Sequence, residues 1–573
     1  MKNILTSFVL FCIALSALAN RTELSSAAEI NSGFWVPGDT LVMKNGFWTD
    51  QNISLKASGT AEQAIVLMAE TPGEVILNGS SKLGFSGEYI EIYGLYFKDG
   101  NAGSSAVISF RTSSSNLAFN CRVSNTTIEN YNPGSATTDS KWVSIYGENN
   151  KVDHCSFVNK TNSGTLLVVW LDSRYITTHI IEHNYFGYRN PNLDSNGNEL
   201  NGQEIIRIGD SSHSMQSSGC VVSDNFFEHC NGETEIISNK SGDNIYRNNV
   251  FYECVGTLTL RHGNRCTVEG NYFFGSNIDD TGGVRIIGED HKVYNNYFEN
   301  LDGSGYRSAL CIVRGVENSP LNRYFQVKNA NVMFNTMVNC RQAFSINYKG
   351  SDDQTLPPIG TTIAHNHVYN SSSGLINVSI YGASDPDLDV TWKNNLMNQG
   401  VYQGFSPDTS QVMQDVDPSM VQSATPIAMY EPEASSALAN YSTDAYLEVS
   451  DDIRGRDRGA LKIPGASQLS GAVTREMPTR SSAGSDYYIP DPVRVHRVKQ
   501  NPIGFTAYAF NKELFTKISE PGILTVYDLS GRCVHKQHMT AGSNISTISA
   551  RGIYILRFYS DKGNTVTKKI AFN

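Results

Sequence analysis

Beyond its N-terminus the 573-residue chain has no run approaching the ~18 uninterrupted apolar residues of a membrane span, which excludes a helical transmembrane anchor there. It has no Cys-x-x-Cys and no Cys/His cluster at zinc-ligand spacing, so a zinc site is not expected. Long Ala/Leu/Glu/Lys runs are missing, and with them the usual material of extended helices. Charge is sparse, at 18% of residues, and carries no basic excess: 45 Lys+Arg against 56 Asp+Glu gives a net charge of −11. That balance argues against a whole-surface footprint for nucleic acid or any other polyanion. What is plentiful is Gly (48), Tyr (28), Phe (25) and Asn, the composition of strands joined by many turns, so an all-β chain is expected. The length allows one large domain with a small companion, or three to four ordinary domains.

The first residues read as a targeting segment. Met1-Lys2-Asn3 is a short positive start, Ile4 to Leu18 is mostly apolar, and Ala17-Leu18-Ala19 is a small-x-small cleavage site. Residues 1–19 are therefore expected to be a signal peptide, with the mature protein beginning near Asn20 and secreted or held at the cell surface. Cys12 lies inside the apolar run, upstream of that site, which argues against lipidation. Nine cysteines remain, an odd number too thinly spread to form a disulfide scaffold.

A short motif, polar-Asn-hydrophobic-hydrophobic, recurs through most of the chain: His183-Asn184-Tyr185-Phe186, Asp224-Asn225-Phe226-Phe227, Asn248-Asn249-Val250-Phe251, Gly270-Asn271-Tyr272-Phe273, Asn295-Asn296-Tyr297-Phe298, and on through Asn335, Asn366 and Asn395. From Asn225 to Asn296 the steps are 24, 22 and 25 residues, and the step of 39 to Asn335 fits one turn plus an inserted loop. A period in the twenties, built from short β-runs without helical spacing or a leucine-rich consensus, indicates a right-handed parallel β-helix. Cys230, Cys254 and Cys340 each lie five residues after a repeat asparagine, as an internal side-chain ladder requires, so they read as small buried hydrophobes. The asparagines read as turn residues that hydrogen-bond the next coil's backbone.

The coil pattern is expected to start near Gly33 and to fade after Trp392. A Ser/Pro/Asp-rich segment from Gly404 to about Pro464 then suits a cover for the last coil. The expected divisions are a β-helix domain with its closing segment over 20–466, a polar, Pro-containing linker over 467–498, and a small C-terminal β-sandwich over 499–573. Residues 501–573 hold nine Lys/Arg and four Asp/Glu, a charge of +5 against −16 for the rest. Through Val526-Tyr527-Asp528-Leu529-Ser530-Gly531-Arg532, Gly552-Ile553-Tyr554 and Lys568-Lys569, this tail resembles the sorting domain of the type IX secretion system, which implies that machinery as a partner.

Polar residues crowd the consecutive coils between Asn201 and Arg285. Glu233 and Glu235 are two apart, so in a strand they share one face about 6–7 Å from each other. Such a pair suits calcium, with Asn201 adding an amide oxygen, and equally suits the carboxylates of a glycosidase. Lys240 follows in the same coil, and Arg261 with His262 falls one coil later. That set fits β-elimination on a uronate polymer. The C5 proton must leave beside a carboxylate, which a cation has to neutralise, while Lys240 acts as base and Arg261 faces the departing oxygen. A guanidinium rarely gives up a proton, so Arg261 either donates, relays water or only stabilises that oxygen.

The sequences Asn201-Gly-Gln-Glu204-Ile-Ile-Arg207-Ile-Gly209, Glu233-Thr-Glu235-Ile-Ile-Ser-Asn-Lys240-Ser and Arg261-His262-Gly263 resemble, in order and spacing, the motifs of polysaccharide lyase family six, the alginate lyases and chondroitinase B. The resemblance implies Lys240 as base, Arg261 as acid, calcium held by Asn201, Glu233 and Glu235, and His262 and Arg285 on the substrate. Glu204 and Arg285 are the alginate-like pair, where chondroitinase B has Gly and an apolar residue. Arg207 and Tyr348 are further candidates for the substrate groove. The expected function is a calcium-dependent lyase cleaving an anionic uronate polysaccharide, alginate first and dermatan sulfate second. A β-helix glycoside hydrolase and a non-catalytic surface glycan binder are the alternatives from other classes. The expected site is a locally cationic cleft on an acidic body.

Overall fold

The repeat asparagines set the coil. Each is preceded by a residue in the left-handed region, among them His183 (φ 52°), Asp224 (57°), Asn248 (51°), Asn295 (57°) and Phe334 (53°), where the chain turns sharply from one sheet to the next. Asn249 Oδ1 accepts the Asn225 backbone N–H at 3.1 Å, Asn271 that of Asn249 at 3.0 Å, and Asn296 that of Asn271 at 3.0 Å. Each amide also donates to the coil before, as Asn225 Nδ2 does to the Ile181 carbonyl at 2.9 Å, so every corner is tied on two sides. Two residues after each asparagine from Asn184 to Asn296 a phenylalanine ring points inward, and Phe157 takes the same place after Cys155. Phe157, Phe186, Phe227, Phe251, Phe273 and Phe298 stack with centroids 5.2, 4.8, 4.7, 4.5 and 4.8 Å apart, close to the ~4.8 Å rung spacing of a sheet. The cysteines of the body are buried and unpaired, and Cys230 and Cys254 sit in the same core as the phenylalanines.

The computed structural model describes residues 19–193, 199–441, 449–460 and 462–488 of a first unit. It also describes 505–510, 513–528, 532–547, 552–562 and 565–572 of a second. The first is a right-handed parallel β-helix of three 14-stranded sheets, each running from the N-terminal to the C-terminal coils. Its coils begin earlier than the sequence pattern suggests, with strand Arg21–Leu24 paired to Thr40–Met43, and end later, at Val412–Met413. A six-residue helix, Ala27–Ser32, buries Ala27 and Ile30 and is started by Ser26, whose hydroxyl accepts the Glu29 N–H at 3.4 Å. The expected signal peptide lies almost wholly outside the described residues.

The polar stretch expected to cover only the last coil and then to become a linker does something else. Its chain runs back along the outside of the coils. Tyr441 Oη donates to Asn395 O (3.0 Å), Arg458 Nη2 to Asn295 Oδ1 (2.7 Å), and Tyr487 Oη to Leu95 O (2.7 Å). The turn residues present a row of outward polar groups, and a Ser- and Gly-rich segment can hydrogen-bond them without bulky side chains in the way. Residues 467–488 are therefore a strap on the body, and the first compact unit extends to Pro490. The second unit, from Asp491, holds a three-stranded and a four-stranded antiparallel sheet around Leu514, Leu524, Val526, Leu556 and Phe558. The tail is thus a small β-sandwich.

Candidate active site

One sheet carries the chemistry. Its successive rungs include Ile206–Gly209, Glu235–Lys240, Gly256–His262, Thr281–Ile286, Leu310–Val313 and Gln342–Tyr348. In Gly256–His262, Leu258 and Leu260 enter the core, so alternation turns Thr257, Thr259 and Arg261 outward. The register then slips: Asn239 pairs with Leu260 but Lys240 with His262, which leaves Arg261 as the extra residue of a β-bulge beside Lys240. On the next rung Val284 and Ile286 point inward, and Arg285, paired with Thr259, points out.

These side chains line a cleft of about 750 Å³ together with Asn201, Glu204, Glu233, Glu235 and Tyr348. Of the ten residues expected at the site, the structure brings these eight to one cavity and leaves two aside. Arg207 stands over the Trp170 ring, 5.3 Å from its centroid, outside the cleft lining. His262 is buried, and burial, then the charges of Arg261 and Lys240, push its pKa down to about 3. It is a neutral packing residue under Arg261 in this arrangement and does not line the cleft.

Glu235 is the electrostatic hub. Burial alone would raise its pKa, but Arg285, then Arg261, the Ser238 hydroxyl and Lys240 outweigh it and hold the carboxyl below its ordinary value. Arg285 Nη2 donates to Glu235 Oε1, Arg261 Nε lies 3.7 Å from the same oxygen, and Ser238 Oγ donates to Oε2 at 2.5 Å. Glu233 is the opposite case. Its pKa is pushed up to about 8 by burial first, then by Glu204 and Glu235, although its Oε2 accepts the Gln203 backbone N–H at 2.8 Å. Glu204 accepts from Thr165 Oγ1 at 2.7 Å and lies 3.8 Å from Lys240 Nζ. Three buried or nearly buried carboxylates therefore crowd one wall, and Glu233 is penalised for its charge. Asn201 lines the same cleft, and its amide and the Glu233 carboxylate offer oxygens of the kind a hard divalent cation takes, whereas Glu235 is engaged by Arg285, Arg261 and Ser238.

The expectation of a locally cationic cleft needs correcting. Four acids, Glu199, Glu204, Glu233 and Glu235, stand against four bases, Lys240, Arg261, Arg285 and Arg323, and Glu233 is disfavoured in its charged form. Glu204, Glu233 and Glu235 come from the same two segments that supply the motif, so the side chains alone give only a small excess of positive charge.

Other cleft residues escape the motifs. The Arg261 guanidinium lies 4.1 Å from the Tyr324 ring centroid, and its nitrogens donate to the carbonyls of Arg323 (3.3 Å) and Asn322 (3.4 Å). Arg285 faces Tyr306 at 5.8 Å, and Tyr306 meets Tyr348 edge-on at 6.0 Å. Tyr306, Asn322, Arg323 and Tyr324 all belong to the insertion in the 39-residue step from Asn296 to Asn335, the one sequence signal that could have located them.

The sequence signature of the Chondroitinase B family matches residues 19–441. No curated protein matches the chain. Among solved structures, a PL6 family alginate lyase, AlyGC, is 32% identical with a TM-score of 0.70, over 82% of this chain and 60% of that one. The chain thus spans about 60% of the length of that lyase. A mannuronic acid specific polysaccharide family 6 lyase from human gut microbiota is 30% identical (TM-score 0.61), over 69% of this chain and 91% of that one. The PL6 family polysaccharide lyase of Pseudopedobacter saltans is 28% identical (TM-score 0.58), over 69% and 96%.

Proposed function

The chain belongs to polysaccharide lyase family six, the family of chondroitinase B and the PL6 alginate lyases, and on that premise we propose that it cleaves alginate by calcium-dependent β-elimination. The observation that carries the reading is the cleft in which Lys240 and Arg261, brought side by side by the bulge, stand next to Glu235 and Arg285. Lys240 takes the C5 proton of the uronate. The electron pair forms the C4=C5 double bond and the C4–O bond breaks, the departing oxygen facing Arg261. Arg261 is fixed for that role by the Tyr324 ring and two loop carbonyls, and a proton reaches the leaving oxygen from it or from a water it orients. Arg285, Tyr306 and Tyr348 orient the sugar chain. Calcium held by Asn201, Glu233 and Glu235 would neutralise the substrate carboxylate and acidify the neighbouring C5 proton.

Glu204 and Arg285, both in the cleft, and the alginate-cleaving relatives favour alginate over dermatan sulfate. We also propose export of the protein, directed by the N-terminal segment and by the C-terminal sandwich acting as a type IX sorting domain. Incubation with alginate, dermatan sulfate and polygalacturonate, each with and without chelator, tests the reading. A near-UV chromophore from alginate, lost on chelation, is expected. Reducing ends without a chromophore would mark a hydrolase, and binding without chain shortening would mark a glycan-binding protein.

A further inference from the structure

A second cleft, of about 620 Å³, opens on the same sheet toward the N-terminal coils. Its walls hold three cations, Lys82, Arg111 and Lys141, against one nearby carboxylate, Asp139, which pairs with Lys141, in a chain whose net charge is −11. Eight serine and threonine residues and two aromatics, Tyr146 and Trp170, complete the polar and flat surfaces. The catalytic cleft has equal numbers of acids and bases, so this groove carries the larger share of positive groups over acids.

The groove is built and aligned. Arg111 lies over the Tyr146 ring at 3.8 Å from its centroid, Tyr146 stacks on Trp170 at 6.1 Å and 11°, and Arg207 stands over Trp170 at 5.3 Å. Lys82 is held by Ser105, Nζ to Oγ 3.2 Å. The strands behind this column, Ile108–Ser109, Val143–Ile145, Leu167–Val169 and Ile206–Gly209, are consecutive rungs that lead directly to Glu235–Lys240. At ~4.8 Å per rung, the four steps from Ile108–Ser109 to Glu235–Lys240 cover about 19 Å.

We infer that this N-terminal groove is a second binding site, separate from the catalytic cleft, for the anionic polysaccharide chain, which it holds through Lys82, Arg111 and Lys141 and through Tyr146 and Trp170. Cations meet the carboxylates spaced along a uronan, the hydroxyl groups meet its ring hydroxyls, and the edges of the stacked aromatic pair meet its apolar ring faces. A long polymer spans groove and cleft together and gains affinity from both, whereas a short oligomer occupies one. The inference rests on the proposed uronan specificity.

The test is calorimetric titration of the full chain with polymeric alginate in a Lys240→Ala background, which prevents cleavage, compared with the same background carrying Arg111→Ala and Trp170→Ala. Loss of the stacked pair and one charge is expected to weaken polymer binding about fivefold to tenfold, with the effect shrinking at high salt. The charge variant Lys82→Gln/Lys141→Gln, which leaves the stacked rings in place, gives a smaller loss that also shrinks at high salt and stands in should the first variant not fold. Unchanged affinity in both variants overturns the inference, as does an equal loss for neutral dextran. The lyase reading is scored separately, by the near-UV product of the unmodified chain. A chain that binds alginate through the groove but yields no unsaturated product would overturn that reading and leave the groove standing.

Discussion

Arg261 and Glu235 sit 3.7 Å apart, Nε to Oε1, on neighbouring rungs of one sheet, and the same carboxylate oxygen accepts Arg285 Nη2. A single buried glutamate thus holds two guanidinium groups that would otherwise repel, and fixes where the second of the two proposed proton-handling residues stands. Removing it, as Glu235→Ala, leaves Arg285 buried without its partner. The expected cost is about 3 kcal/mol in a denaturant titration. Glu235→Ala/Arg285→Met recovers part of that stability but not activity.

Lys240 lines the cleft with its side chain only 20% exposed, and its ion-pair contact to Glu204, at 3.8 Å, is long. Lys240→Ala is therefore expected to leave the melting temperature nearly unchanged while lowering the rate of unsaturated-product formation by about 10²- to 10⁴-fold. Activity retained in a folded Lys240→Ala protein excludes this residue as the base.

Glu233 is penalised for its charge by burial and by Glu204. A bound divalent cation relieves that penalty, so calcium is expected to raise the melting temperature of the wild-type chain. The rise is expected to shrink in Glu233→Gln and in Asn201→Ala. Equal calcium-induced shifts in all three proteins would place the ion elsewhere.

A second corner of the coils carries asparagine and histidine at equivalent places. Asn150 Oδ1 accepts the Cys121 N–H at 2.8 Å, and His291 Nδ1 accepts the Cys266 N–H at 3.1 Å. Burial pushes the His291 pKa down to about 4 from an unfolded value near 6.5. As pH falls from 6.5 to 4 the unfolded chain takes up a proton that the native chain refuses, so stability is lost across that window. His291→Asn keeps the acceptor and removes the titration. Its urea midpoint is expected to fall less than that of the wild type between pH 7 and pH 4.5.

Much of this was legible because a β-helix repeats its physics. Asn225, Asn249, Asn271 and Asn296 recur at coil spacing since each must tie the corner before it, and the phenylalanine two residues on recurs since the core is one continuous stack. The motif residues Lys240, Arg261 and Glu235 were equally visible. Side-chain direction was not. His262 follows Arg261 in the motif, but strand alternation that turns Arg261 outward turns its neighbour into the body, and no spacing rule announces the bulge that sets Arg261 beside Lys240. Tyr324 and Arg323 sit in an insertion outside the repeat, and the strap to Tyr487 uses hydrogen bonds from a low-complexity polar stretch whose partners lie hundreds of residues away.

The most direct test of the central claim is the near-UV absorbance of alginate incubated with the wild-type chain in calcium and again with excess chelator. The account predicts a steady rise from unsaturated uronate ends in calcium and none with chelator. Chain shortening with reducing ends but no rise in absorbance would contradict it.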